Sequence, residues 1–217
     1  MRRPRESYVQ KESETIRTHT QSQYEECRDT LQNLGKEQWI ACKIQSSKNI
    51  EEIVKSIRGG TAIAVSDGSF KDEHGTAAWV IEDYLAKERL LGLTMVPSFP
   101  IDQSAYRSEV AGLYAIVKVI SIIIEVYNIT EAQAGITIRC DGLSALERSF
   151  DINNPTSISN KHYDLLSGIQ GMVKATQIKW EYHHVRGHQK EKKEKLTRWE
   201  MLNEEMDIRA KLFGRKL

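Results

Sequence analysis

Three short apolar segments follow one another between residues 61 and 96, and this pattern constrains the fold more than any other feature. Residues 61–69, 76–82 and 89–96 have the length and composition of strands. Only turn-length segments separate them, and such short connections join antiparallel neighbours. We therefore predict an antiparallel meander of three strands.

The elements after residue 100 alternate between helices and strands. An apolar helix over 104–126 comes first, and a strand over 136–140, helices near 143–150 and 163–175, a strand over 177–184 and a helix near 198–213 follow. A meander followed by such an alternation is typical of an α/β fold. We predict a five-stranded mixed sheet, three strands antiparallel and two parallel, flanked by helices.

The first 60 residues differ from the rest of the chain. Residues 1–34 are polar and predict a loose or weakly helical arm, and residues 39–44 have the composition of a short strand. Ile50, Ile53, Val54 and Ile57 repeat at helical spacing after Asn49, a potential N-cap. We predict an N-terminal arm with a short helix over 1–60 and a main domain over 61–217.

Composition excludes several classes of protein. The 31 basic and 30 acidic residues give net charges of about +2, −4 and +3 over residues 1–60, 61–189 and 190–217. An acidic middle between basic flanks suits a cation site beside a polyanion-binding surface. Three widely spaced cysteines predict no disulfide framework and favour a reducing, intracellular location. The longest apolar stretch, residues 110–124, is too short to span a membrane.

Carboxylates occupy positions where apolar residues are expected. Asp67 and Asp141 interrupt or end buried-looking strands, each before a glycine, and parallel neighbours would place both at one sheet edge. Taken singly, each also fits an Asp-Gly turn. Glu109 lies on the stripe of its helix that should pack on the sheet, where a charge is costly unless paired or bound to a cation. Asn203 and Asp207 are four residues apart and share a face of the last helix.

Converging carboxylates predict a site for divalent cations. Oxygen ligands favour Mg²⁺ or Mn²⁺, and two such ions suit the displacement at a phosphodiester. His188 follows a strand in a Gly187-His188 turn and is the candidate proton carrier at neutral pH. Lys190, Lys192, Lys193 and Lys195 form the densest run of cations, which either holds a phosphate backbone or is a solvated linker.

These motifs resemble the type 1 ribonuclease H domain, in the form found in reverse-transcribing elements. The resemblance covers about 150 residues. It rests on Ser66-Asp67-Gly68-Ser69, Arg107-Ser108-Glu109, Cys140-Asp141-Gly142 with Ser144, Gly187-His188, and Asn203 with Asp207 and Ala210. Residues 104–109 and 185–189 look most like retroelement versions.

The resemblance implies a ribonuclease H-like fold and an endonuclease that cuts the RNA of RNA–DNA hybrids with two Mg²⁺ ions, leaving 5′-phosphates. The implied metal ligands are Asp67, Glu109, Asp141 and Asp207, and His188 is the implied mobile histidine. The expected substrate contacts are Gly68, Ser69, Arg107, Ser144, Asn203, Lys190, Lys192 and Lys193. A reverse transcriptase module of the same element is an expected partner, and residues 1–60 would be the remnant of a connection segment.

Two other functions fit the same sequence. An integrase or resolvase would share a sheet that carries carboxylates but act on another substrate. A scaffold that binds a polymerase or a nucleic acid would have the same fold but no nuclease activity. The presence of all four acids favours an enzyme, and the Gly187-His188 and Asn203/Asp207 motifs favour the hybrid as substrate.

Overall fold

A computed structural model describes residues 21–46, 50–187, 189 and 195–216. The strands are β1 (Lys43–Ser46), β2 (Ala62–Lys71), β3 (His74–Glu82), β4 (Arg89–Met95), β5 (Gly135–Cys140) and β6 (Lys179–His184). The helices are α1 (residues 21–32), α2 (Glu51–Arg58), α3 (Ala105–Val126), α4 (Leu143–Phe150), α5 (Tyr163–Ala175) and α6 (Arg198–Gly214). Short 3₁₀ helices cover Gly35–Ala41 and Pro100–Asp102.

All six strands form one mixed sheet in the order β1-β4-β3-β2-β5-β6. The strands β1 to β4 pair antiparallel, and β2, β5 and β6 run parallel. The predicted α/β fold and the predicted meander are confirmed. The predicted number of five strands is wrong, because Lys43–Ser46 adds a sixth strand at the edge of β4.

Helices cover both faces of this sheet. On one face α3 packs its apolar stripe against β2 and β3, with α4 and α5 behind it, and Trp79 is fully buried there. On the other face α6 buries Leu202, Met206 and Ala210 against Val65 and Val80. Consecutive residues of β2 therefore face different helices, which is the alternation expected of a strand covered on both sides.

The sequence of α3 explains its close approach to the sheet. Ser104 caps the helix by accepting a hydrogen bond from the Arg107 amide at 3.1 Å. A Cβ atom at Gly112 would lie 3.0 Å from the Ser66 Cβ, so a larger residue would push the helix from the strand. The same close approach recurs one turn earlier at Glu109, which lies beside Gly68 of β2.

The first described residues differ from the predicted loose or weakly helical arm. Residues 21–32 are helical, and Cys27 and Leu31 are buried in the same core as Ile53 and Ile57 of α2. Two buried residues one turn apart are too few to indicate a packed helix from sequence. Residues 35–41 form a 3₁₀ helix where a strand over 39–44 was expected, and Asn49 lies outside the described residues. The boundary at residue 60 stays a prediction.

No helix in the described parts of the chain combines the length and apolarity needed to cross a membrane.

Candidate metal and nucleic-acid site

Two parallel strands bring Asp67 and Asp141 to the same edge of the sheet. The register of β2 and β5 pairs Val65 with Arg139, and each acid lies two residues further along its strand direction. Carboxyl ends of parallel strands meet at one edge, where open α/β sheets place their sites. Asp67 is 4% exposed although its side chain is ionisable, so its surroundings decide whether it carries a charge.

Glu109 reaches this edge from α3. A Cβ atom at Gly68 would lie 2.6 Å from the Glu109 backbone nitrogen, so only glycine allows the helix to start so close to β2. The Cys140 thiol donates a hydrogen bond to Glu109 Oε2 at 3.0 Å. Ligand atoms of Glu109, Cys140 and Asp141 lie within 4.8 Å of one another. Cys140 was not among the predicted site residues, and its only signal in the sequence is its place beside Asp141 at the end of a strand.

The last helix approaches the same edge from the opposite face. Thr197 and Glu200 form a capping box that starts α6. Arg198 and Arg89 then pair with the fully buried Glu82, which ties the helix to β3 and β4. These ion pairs fix the position of the helix that carries Asn203 and Asp207.

Asn203 and Asp207 both face the edge, as their spacing predicts. Asn203 is 2% exposed, and its Nδ2 donates a hydrogen bond to Asp67 Oδ2 at 3.2 Å. Asp207 pairs with Lys211, with the Lys211 Nζ 2.7 Å from Asp207 Oδ1. The expected substrate contact of Asn203 stays a prediction, and its observed contact is with Asp67.

The carboxylates of this edge destabilise one another's charged forms. Burial raises the pKa of Asp67, and the charges of Glu109, Asp141 and Asp207 raise it further. Burial and the charge of Asp141 also raise the pKa of Glu109, against hydrogen bonds from the Cys140 thiol and the Gly68 amide that lower it. Such mutual repulsion is relieved by a bound cation, and carboxylate oxygens are the ligands that Mg²⁺ and Mn²⁺ prefer. The residues therefore fit a divalent cation.

The loop after β6 packs against Asp141. A Cβ atom at Gly187 would lie 2.5 Å from Asp141 Oδ2, so a larger residue here would force the Asp141 carboxylate to move. A ring nitrogen of His184 lies 3.0 Å from the Asp141 carbonyl oxygen. His188, the candidate proton carrier, is the residue after Gly187 but lies outside the described residues, as do Lys190, Lys192 and Lys193.

The remaining predicted substrate contacts occupy different environments. Gly68 and Ser69 are half-buried on β2 beside the acids, and Ser144 is exposed at the start of α4, where it hydrogen-bonds Tyr106. Arg107 differs from the expectation: its side chain is 5% exposed, pairs with Asp164 and donates to the Pro97 carbonyl oxygen at 2.7 Å. Arg107 therefore holds parts of the fold together, and its burial opposes a contact with substrate.

Comparisons with known proteins show the fold. No protein-family model matches the chain, and no curated protein is similar to it in sequence. Among solved structures, LC11-RNase H1 in complex with an RNA/DNA hybrid superposes with a TM-score of 0.50 at 9% identity, over 68% of this chain and 91% of that one. RNase H1 from the halophilic archaeon Halobacterium salinarum NRC-1 gives a TM-score of 0.49 at 12% identity, over 73% and 100%. The chain has a ribonuclease H-like fold, as the sequence motifs predict.

Proposed function

We propose that this protein is a divalent-metal-dependent endonuclease that hydrolyses the RNA strand of RNA–DNA hybrids. The observation that carries the proposal is a cluster of four carboxylates, which we call the acid set, at one edge of a ribonuclease H-like sheet. Asp67, Glu109 and Asp141 come from β2, α3 and the end of β5, and Asp207 comes from α6 on the other face. A fold that brings four separate segments to one cluster of repelling charges is costly without a ligand.

Two Mg²⁺ ions, with Mn²⁺ as a substitute, are the proposed cofactors, held by Asp67, Glu109, Asp141 and Asp207. When bound, they would neutralise the acids, lower the pKa of water and stabilise charge at the scissile phosphate. The chain's own residues orient the ligands. Asn203 holds one oxygen of Asp67, and the Gly68 amide and the Cys140 thiol hold Glu109.

His188 is the proposed proton carrier and aid to product departure. Its neighbour in sequence, Gly187, packs against Asp141, and this contact supports the proposal. Gly68, Ser69 and Ser144 lie beside the acid set or on the neighbouring helix and are proposed contacts to the substrate backbone. Lys190, Lys192 and Lys193 would add cations for its phosphates.

The retroelement form of this enzyme is a finer part of the proposal. The amino-acid sequences of residues 104–109 and 185–189 support it, because they resemble retroelement versions of the domain. On this proposal the chain acts with a reverse transcriptase module of the same element, inside the cell.

The proposed function is tested by incubating the full chain with labelled RNA–DNA hybrid, double-stranded RNA and double-stranded DNA. We expect Mg²⁺-dependent cleavage of the hybrid RNA to 5′-phosphate products, and no cleavage in EDTA. Asp141→Asn should abolish cleavage, because an amide keeps the size and removes the charge, and the exposed Asp29→Asn is the matched control. Binding of the hybrid without cleavage would indicate a scaffold, and cleavage of double-stranded DNA alone would indicate a resolvase or integrase.

A further inference from the structure

A groove adjoins the acid set on the side of the β2–β3 hairpin. It lies between this hairpin and the C-terminal end of α6 and encloses about 660 Å³. We call it the hairpin groove, and the residues that matter for its chemistry are Ser69, Phe70, Lys71, Asp72, Lys211 and Arg215.

The walls of the hairpin groove are held together by a buried contact. The Thr76 hydroxyl of β3 donates a hydrogen bond to the Ala210 carbonyl oxygen of α6 at 2.9 Å. A Cβ atom at Gly214 would lie 3.3 Å from the same hydroxyl oxygen, so the helix end sits close against the strand. The groove is therefore formed before any ligand arrives, which lowers the entropic cost of binding.

Its charge favours an anion. Lys71, Lys211 and Arg215 line the groove with a single carboxylate, Asp72, whose side chain is 87% exposed. The Lys71 Nζ lies 3.9 Å from an Asp72 oxygen, a long contact between two exposed groups that water screens strongly. Arg215 is exposed and forms no ion pair with the residues that the structure describes. Two of the three cations are thus available to a ligand.

The groove begins where the acid set ends. Lys211 lines it and also pairs with Asp207, so this cation belongs to both. On β2, Ser69 and Lys71 lie two and four residues beyond Asp67. At about 3.3 Å per residue, Lys71 is roughly 13 Å along the strand from Asp67, the axial length of about four nucleotides of one strand.

Phe70 adds an apolar surface to this charged channel. Its ring is 41% exposed and lines the groove between Ser69 and Lys71. Cations that follow a backbone, combined with an exposed aromatic ring for sugars or bases, are typical of surfaces that bind a nucleic-acid strand. An apolar ring is not needed for a free phosphate ion.

We propose that the hairpin groove binds the phosphate backbone of the RNA strand, about four nucleotides from the phosphate that is cut. The proposal rests on the proposed function, because it extends the strand that lies over the acids. It also supplies cations from described residues, whereas the densest cluster that the sequence indicated was the run of lysines after His188.

The test uses the full chain with Lys71→Gln and Arg215→Gln combined, and a fluorescent 20-base-pair RNA–DNA hybrid in Ca²⁺. We expect the Kd to rise about tenfold or more at 0.1 M salt and the slope of log K against log salt to become shallower by about 1.8, for two lost phosphate contacts. The rate of cleavage at saturating hybrid in Mg²⁺ should stay within about threefold. The matched control, Lys55→Gln with Lys174→Gln, removes the same charge at the opposite end of the sheet and should change neither quantity.

A second measurement identifies the strand. Methylphosphonate linkages near the expected contact remove phosphate charge from either the RNA strand or the DNA strand of the hybrid. We expect the affinity difference between wild type and variant to vanish only when the RNA strand is neutral. Persistence of the difference there, its loss with a neutral DNA strand, or an unchanged salt slope in the variant would overturn the proposal. Failure of the wild-type chain to cut the hybrid would instead reject the proposed function.

Discussion

Replacing Asp67 by Asn should stabilise the metal-free protein while it abolishes activity. Asp67 is buried, and three neighbouring carboxylates raise its pKa above the unfolded value of about 3.9. Keeping this carboxyl protonated at pH 7 costs about 1.36 kcal/mol for each of about three pH units, an upper value of about 4 kcal/mol. Relaxation around the charge reduces the cost, so we expect a gain of about 2–4 kcal/mol.

The amide fits the same surroundings. Asn203 can still donate to the oxygen of residue 67, and the buried Asn203 Oδ1 has no hydrogen-bond partner in the described parts of the chain. For a chain of this size, 2–4 kcal/mol corresponds to a rise in Tm of about 4–16 °C. The assay is thermal unfolding in EDTA at pH 7, with Asp29→Asn as a surface control expected to change stability by less than about 0.5 kcal/mol.

The stability difference between Asp67→Asn and the wild type should depend on pH in a definite direction. A raised folded pKa favours the protonated carboxyl, so the wild type bears no penalty below about pH 4 and a growing one as the pH rises toward 7. The stability gap between Asp67→Asn and wild type should therefore open from pH 4 to pH 7. Mg²⁺ should narrow the gap, because it binds the folded wild type more tightly than the variant. An equal or lower Tm for the variant in EDTA at pH 7 would show that the Asp67 carboxyl does not destabilise the metal-free fold.

Three further outcomes are expected. Arg107→Ala should lower the free energy of unfolding by about 2–4 kcal/mol in urea titrations, because it removes the buried guanidinium that bonds to Asp164 and to the Pro97 carbonyl, whereas Lys174→Ala should not. His188→Ala should lower kcat more than it raises the Kd for the hybrid, since proton transfer and product release come late, and a lower affinity with normal kcat would make it a phosphate contact. Ca²⁺ should support hybrid binding without cleavage, because its coordination is longer and less regular than that of Mg²⁺, and fast cleavage in Ca²⁺ alone would contradict the two-metal mechanism.

Most helices and strands of the fold could be predicted from local patterns of apolar residues. The 22-residue helix α3 and the strands β2 to β6 carry clear apolar periodicity, and the structure places each within two residues of its predicted bounds. The short strand predicted over residues 39–44 lies over 43–46, and a packed helix α1 lies where only a loose or weakly helical arm was predicted. Their few apolar residues gain stability only by packing on distant parts of the chain, which local patterns do not encode.

The acid set could be predicted because two of its members break a local rule and the others complete the set. Asp67 interrupts a buried strand and Glu109 interrupts an apolar stripe, and such conflicts concentrate at functional sites. The contacts that orient the acids could not be predicted in the same way. The Cys140 thiol meets Glu109 across 31 residues, and Asn203 meets Asp67 across 136.

Arg107 shows the opposite outcome. The resemblance carried by Arg107-Ser108-Glu109 implied a substrate contact for Arg107, but its partner Asp164 lies 57 residues away in α5. A short motif gives the position of a side chain in the sequence and not its tertiary partner. Only the structure could therefore separate Arg107 from the residues that face solvent beside the acids.

A crystal of the full chain grown with Mn²⁺ tests most directly whether the four acids share cations. We expect anomalous density for two Mn²⁺ ions about 3.5–4 Å apart, bound by oxygens of Asp67, Glu109, Asp141 and Asp207. The Asp67→Asn crystal under the same conditions should lose at least one ion. Anomalous density elsewhere, or none at this edge in the wild type at millimolar Mn²⁺, would contradict the metal site on which the proposed activity depends.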